Sequence, residues 1–254
     1  MLLDLIKSVF VKTGKMTDEI KIEFAVQISN PKCASDIRSA LADVGEIDID
    51  MDKGSVLVTT TVPWIEIQNK IEATGRRAVL SGFGDMILNK FVRLPGQSAV
   101  SIVNHGNEKT NVKGVVRFCA TGGNQATNSI GAVVDGAIDG LDSNRRYKVN
   151  IHECGDISDG CASVGDVYDS REIDSDDTGR ATIRYVRDKL SIPDIIGRAV
   201  VIAEADSDRR LACGIIARSA SIFENYKKIC ACDGVTIWDE REKPLAGSGR
   251  RTAP

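Results

Sequence analysis

The sequence predicts an α+β chain of several domains: an N-terminal ferredoxin-like βαββαβ domain, then a Greek-key β-sandwich or barrel, then a short C-terminal tail. Three observations predict it. Between Ile20 and Gly82 the apolar pattern switches between periods of two and of 3.6 in the order strand, helix, strand, strand, helix, strand. From Ser98 to Ala217, short runs rich in β-branched residues recur with turn signals between them. Beyond Phe223 the periodic apolar signal fades, and two cysteines stand one residue apart.

Each element has a local reason. IKIEFAVQI alternates as a half-buried strand does, and CASDIRSALADV carries its apolar residues at helical spacing. EIDIDMDKGSVLVTTT is two strands around the turn signal Asp52-Lys53-Gly54; WIEIQNKIEATG is the second helix and RAVLSG the closing strand. DMILNKFVRLPG has no clear partner and ends in Pro95-Gly96, so it reads as a linker or insertion. SAVSIVNH, NVKGVVRFC, IGAVVDGAI, YKVNIHE, GRATIRYV, GRAVVIAEA and RLACGIIA then supply the strands of the β domain. The expected division is an N-terminal extension over 1–18, the ferredoxin-like domain over 19–84, the linker over 85–96, the β domain over 97–222 and the tail over 223–254, flexible until docked.

Composition narrows the function. A hydrophobic share of 42% with 27% charged residues is that of a soluble globular chain, and 254 residues suffice for two cores. The net charge of -3 is small and its signs are interspersed, so a nucleic-acid partner is not expected. No apolar run is long enough to span a bilayer. The start, MLLDLIKSVFVKTGK, is interrupted by Asp4 and Lys7 and lacks a cleavage signature, so no secretory signal is expected, and Met16 would serve equally as a start. Seven cysteines without such a signal suit a reducing, cytoplasmic location, where thiols serve chemistry or metal more often than staples.

The most suggestive pair lies in KKICACDGV, where Lys227 and Lys228 precede Cys230 and Cys232. Nearby positive charge favours thiolate, which suits soft metal or disulfide exchange. Two unrelated thiols fit the same spacing.

The runs TGRRAVLSGFG, GVVRF, HECGDISDGCASVGD, DIIGRAVVIAEAD, RLACGIIARSA and ICACDGVTIWDEREKPLAGSGR together resemble the family of copper chaperones for superoxide dismutase, in order and over nearly the whole chain. The resemblance implies a metallochaperone-like (heavy-metal-associated) first domain, a middle domain of Cu,Zn superoxide dismutase type and a transfer tail. It implies a chaperone rather than an active dismutase. Such a protein docks on Cu,Zn superoxide dismutase as a heterodimer, delivers Cu(I) and promotes the partner's disulfide. Cys230 and Cys232 match the family's transfer pair, and two thiolates suit Cu(I). The dismutase-like domain also suggests a two-fold homodimer.

Elsewhere the resemblance is partial. The family's Met-x-Cys-x-x-Cys loop falls on Ile28 to Cys33, with Asn30 in place of the first cysteine, so Cys33 is either a remaining ligand or a remnant packed at a helix start. The dismutase copper histidines fall on Asn150, His152, Val167 and Ala203, and the zinc loop is cut short, so zinc is not expected. His152 reads as a structural or solvent-facing residue. Cys161 and Cys213 match the ends of the family's intrasubunit disulfide, and Arg210 the arginine beside it. Cys119 and Cys154 read as small buried hydrophobes. A degenerate relative that docks or transfers a disulfide without carrying copper is the alternative.

Overall fold

The structure, a computed structural model, describes residues 19–84, 98–106, 111–121, 131–225 and 238, with the backbone of 87–89 and 92–93. The expected extension over 1–18 and the tail cysteines Cys230 and Cys232 lie outside the described residues.

The chain opens with β1 (Ile20–Val26), whose alternate residues Ile22, Phe24 and Val26 are buried. Removing side chains of this size from water contributes about 1.5–3 kcal/mol each. Helix α1 (Pro31–Ala40) starts where Asn30 caps it: the Asn30 side chain accepts from the Cys33 amide at 3.0 Å, and Pro31 occupies the first turn. Strands β2 (Glu46–Asp50) and β3 (Ser55–Thr60) follow, joined at Gly54, whose φ of 63° is the left-handed value that glycine takes at least cost. Helix α2 (Trp64–Glu72) and β4 (Ala78–Phe83) complete the unit. The four strands form an antiparallel sheet in the order β2-β3-β1-β4, and the helices bury Ile37, Leu41, Ile67 and Ile71 against it. This is the ferredoxin-like arrangement.

Within the expected linker, β5 (Ile87–Asn89) and β6 (Val92–Arg93) pair with each other. The second body is built from β7 (Ser98–Val103), β8 (His105–Gly106), β9 (Lys113–Ala120), β10 (Ala132–Asp139), β11 (Arg146–His152), β12 (Val167–Asp174), β13 (Ala181–Arg187), β14 (Ala199–Glu204) and β15 (Arg210–Arg218), with the single turn α3 (Ile192–Ile195). The order is β12-β11-β14-β15-β7-β9-β10-β13, antiparallel throughout, with β8 beside β15. Its outer strands nearly close a barrel. Arg187 of β13 donates to Asp169 and to the Ser170 carbonyl of β12, and Arg171 lies over the Tyr185 ring. Phe118, Ile138, Ile151, Ile183 and Ile202 fill the interior.

β12 is a strand beyond the seven apolar runs. Its residues, VYDSREID, are almost all exposed, so it is held by pairing with β11 rather than by an apolar face. Among the described residues no helix is long and apolar enough to cross a membrane.

The two bodies touch directly. Cys119 and Val133, on the outside of the barrel, belong to the same apolar cluster as the first sheet and its helices. Gly84 has φ 96°, and a Cβ there would lie 2.4 Å from the Cys119 sulfur and 2.7 Å from Ser98 Oγ, so only glycine lets β4 approach the barrel. After β15 the chain returns to the first sheet: Ile222 is buried beside Gly82, and the Phe223 amide donates to the Glu23 carboxylate at 2.8 Å.

Candidate functional site

Cys33 sits in the first turn of α1, nearly buried, with its sulfur 3.5 Å from Ser29 Oγ. The Ser29 hydroxyl and amide, then Arg76, stabilise the thiolate and bring its pKa down to about 6, against a smaller opposing effect of burial. Arg76 is itself tied to Asp36 at 3.0 Å. A cavity of about 470 Å³ opens here, lined by Gln27, Ser29, Cys33, Thr74, Gly75 and Arg76. Among the described residues it offers one sulfur. Asn30, at the position that the resemblance assigns to a first cysteine, spends its side chain on capping α1. Among the described residues Cys33 is therefore the one sulfur at this cavity, with its thiol biased toward the thiolate.

The barrel positions expected to have lost their ligands are occupied by other interactions. Asn150 is buried and its side-chain carbonyl accepts from Ser170 Oγ at 2.6 Å. His152 is also buried, with Nδ1 2.9 Å from the Gly165 carbonyl and Nε2 without a partner. Burial, with a smaller contribution from Arg210, lowers its pKa. Of the two readings for His152, the buried, structural one holds. Val167, opposite His152 in the β11–β12 ladder, is exposed, and Ala203 is buried without a donor atom. One imidazole nitrogen does not make a copper or zinc site. Among the described residues no group of three or more His, Cys, Asp or Glu is placed to hold a metal ion.

Cys161 and Cys213 are joined, with Cα atoms 5.7 Å apart across 52 residues. The bond ties the loop after β11 to β15. Arg210 grips the same loop: Nη1 donates to the carbonyls of Cys161 at 2.6 Å and Ala162 at 3.1 Å, and Nη2 to that of Gly165 at 3.3 Å. A charged fork serving three carbonyls fixes the loop's path. An open cavity of about 700 Å³ lies over Cys161, lined also by Gly106, Asp159, Gly160, Ala162, Asp208 and Arg210.

One feature near this loop is not evident from the sequence. Ile102 of β7 and Ile215 of β15 are 45% and 41% exposed, one register step beyond the Ser101–Ile216 pair, and so form an apolar patch on adjacent strands. Gly155 packs under it: a Cβ there would lie 2.3 Å from the Gly197 carbonyl and 3.2 Å from Ile215 Cγ2. The signal available in the sequence is Ile102 itself, an apolar residue on the outward phase of SAVSIV. Cys154 corrects the expectation of a buried hydrophobe, since it is exposed with a free thiol beside Gly155. Cys119, by contrast, is buried between the two bodies.

Comparison with known proteins bears on these sites. Residues 23–77 match the family model of the heavy-metal-associated domain. The human protein named copper chaperone for superoxide dismutase is 36% identical over 267 residues, covering 91% of this chain and 92% of its own. The rat protein of the same name is 34% identical, covering 94% and 96%. The superoxide dismutase 1 copper chaperone of Debaryomyces hansenii is 31% identical, covering 91% and 98%. Identity of 31–36% along nine-tenths of both chains identifies the lineage: the chain belongs to the family of copper chaperones for superoxide dismutase.

Proposed function

We propose that this chain docks on immature Cu,Zn superoxide dismutase, delivers Cu(I) and promotes formation of the partner's disulfide through Cys230 and Cys232. The observation that carries the reading is the division of what the barrel keeps and lacks. Of its four copper-histidine positions three hold Asn150, Val167 and Ala203 and leave His152 alone, while Cys161, Cys213 and Arg210 form an ordered site beside an exposed isoleucine pair. That suits a scaffold that imitates a dismutase subunit for docking without performing its chemistry. Ile102 and Ile215 are the surface on which a second barrel of the same kind would sit, in the manner of a two-fold dimer.

The tail supplies the reactive groups. Two thiolates bind Cu(I), a soft ion that they can pass by ligand exchange to a site richer in donors. In the oxidised tail, a partner thiolate attacks one sulfur of the Cys230–Cys232 bond and the other sulfur leaves as thiolate. A second partner thiolate then resolves the mixed disulfide and returns the tail as a dithiol. The exchange begins only after a two-electron thiol oxidant has joined Cys230 to Cys232, and a reducing cytoplasm keeps the partner's cysteines as thiols until then.

A second reading, in which copper no longer passes through the first domain, is favoured by one observation: Asn30 caps α1, and Cys33 is the one cysteine among the described residues that line its cavity. Cu(I) competition titration tests both. Binding that persists in Cys33→Ser and vanishes in the Cys230→Ser/Cys232→Ser variant supports copper carriage by the tail. Absence of Cu(I) binding in the parent protein overturns copper delivery and leaves docking or disulfide transfer alone.

A further inference from the structure

The outer face of the barrel carries a row of charges that its own strands do not explain. Asp135 of β10 stands opposite Arg184 of β13 on one side and Arg117 of β9 on the other. On a solvent-facing barrel such a row would be an ordinary surface feature. Here it is covered: Asp135 is 0% exposed and the Arg184 side chain 12%. Helix α2 of the first domain does the covering.

The row bonds across the boundary to that domain. Asp135 Oδ2 accepts from Arg184 Nη1 at 2.8 Å and from the backbone amide of Trp64 at 3.2 Å. Trp64 is the first residue of α2, and Pro63 before it provides no side-chain cap. The barrel therefore supplies, from 71 residues away in sequence, the carboxylate that a helix ordinarily finds in its own Ncap residue. Arg184 Nη2 donates across the same boundary to the carbonyl of Thr60, at the end of β3, at 3.2 Å. Arg117 lies over the Trp64 ring, 5.6 Å from its centroid. Asp135 Oδ1 and Trp64 Nε1 have no hydrogen-bond partner.

Apolar contacts around Cys119 and Val133 hold two surfaces together but tolerate sliding. The Trp64 amide, the Thr60 carbonyl and the Trp64 ring each meet one of the three charges in a single arrangement, and sliding breaks these contacts while Asp135 keeps Arg184 of its own barrel. We infer that the Arg117–Asp135–Arg184 row is a latch that fixes the first domain on the barrel in a single pose by capping α2 in trans. The consequence, which rests on the proposed copper function, concerns Cys33. Trp64 and Thr60 lie at the Ile20 end of β1, whereas Cys33 follows its Val26 end. A seven-residue strand separates them, about 20 Å. With the latch closed, Cys33 stands at the end of its domain remote from the barrel, and the tail must bridge any distance to a docked dismutase.

The test uses the full chain with Trp238→Phe, which leaves Trp64 as the only tryptophan. Asp135→Ala should raise hydrogen exchange in the first turn of α2 at least tenfold and shift Trp64 emission to the red. Exchange in the centre of β1 and β3 should stay within twofold of the parent, showing that the first domain remains folded. Asp135→Asn retains an acceptor for the Trp64 amide and should fall between the two. Should exchange at α2 in Asp135→Ala stay within twofold of the parent, or rise equally in β1 and β3, the latch is refuted. No partner or copper is present in this experiment, so its failure and that of the transfer reading are separate results.

Discussion

Removing the Cys161–Cys213 bond, by Cys161→Ala with Cys213→Ala, should destabilise the barrel without dismantling it. The bond closes a loop of 52 residues, and chain-entropy arithmetic for that length gives about 4 kcal/mol. Two features bear on how much of this appears. Arg210 still grips the loop at three carbonyls, so the native path survives the loss of the bond. Cys161, Cys213, Val164, Ala199 and Val201 form a small apolar cluster of their own, and alanine at both cysteines leaves it slightly underpacked. The first effect lowers the cost and the second raises it, so about 3–4 kcal/mol is expected, or roughly 6–16 °C in Tm for a chain of this size. Thermal melts of parent and variant, each with and without reductant and with and without chelator, measure it. Reductant should bring the parent down to the variant and leave the variant unchanged, whereas chelator should move neither. A large loss with chelator and none with reductant would refute the reasoning, because the stability would then rest on metal.

Other consequences follow from the same geometry. Loading with copper and zinc should produce no superoxide removal above background, since Asn150 is committed to Ser170 and Val167 and Ala203 carry no donor; a metal-dependent rate would contradict this. Burial pushes the Asp135 carboxyl up to about 6, with Arg184 and Arg117 pulling it back only in part. Because the folded value is raised, protonation stabilises: the contribution is fully present below about pH 4 and is lost as pH rises through about 6, worth at most about 3 kcal/mol. His152 is shifted down, so its contribution is present above its ordinary value and lost as pH falls through the folded one. The two oppose each other. Asp135→Asn should therefore abolish the acid-side gain and unmask the His152 loss in denaturant midpoints between pH 7 and 5, whereas an unchanged profile would contradict the assignment. Finally, Ile102→Asp with Ile215→Asp should abolish association with an immature dismutase in sedimentation experiments while shifting Tm by no more than a few degrees, since both side chains are already half exposed; undiminished association would exclude this patch as the docking surface.

Much of this architecture is legible in the sequence, because the first domain alternates its apolar residues at two clear periods and the barrel repeats β-branched runs between turn signals. β12 is not legible in that way. VYDSREID shows no apolar face, since it sits at the barrel's outer margin and is held by the ladder with β11 and by Arg187. The helix that carries Cys33 is legible in the spacing of CASDIRSALADV, although it starts two residues earlier, at Pro31 behind the Asn30 cap, and the approach of Arg76, 43 residues after Cys33, is a product of tertiary packing. Asp135 illustrates the limit most plainly. Within IGAVVDGAI it looks like an interruption of an apolar strand, and its purpose emerges only when another domain's helix terminus is placed against it. Cys154 misleads in the opposite direction, since a cysteine between short buried strands suggests burial, yet it stands in the irregular stretch after β11 with its thiol exposed.

The central claim is that Cys230 and Cys232 perform the transfer and that the rest of the molecule positions them. It is tested most directly by activating copper-free, disulfide-reduced Cu,Zn superoxide dismutase under limiting copper with the parent, Cys33→Ser and Cys230→Ser/Cys232→Ser proteins. The account expects the parent to activate, Cys33→Ser to lose only a minor part of the activity, and the tail variant to lose essentially all of it while still folding and docking. Activation by the tail variant equal to that of the parent would contradict the account and leave the Cys-x-Cys without a function.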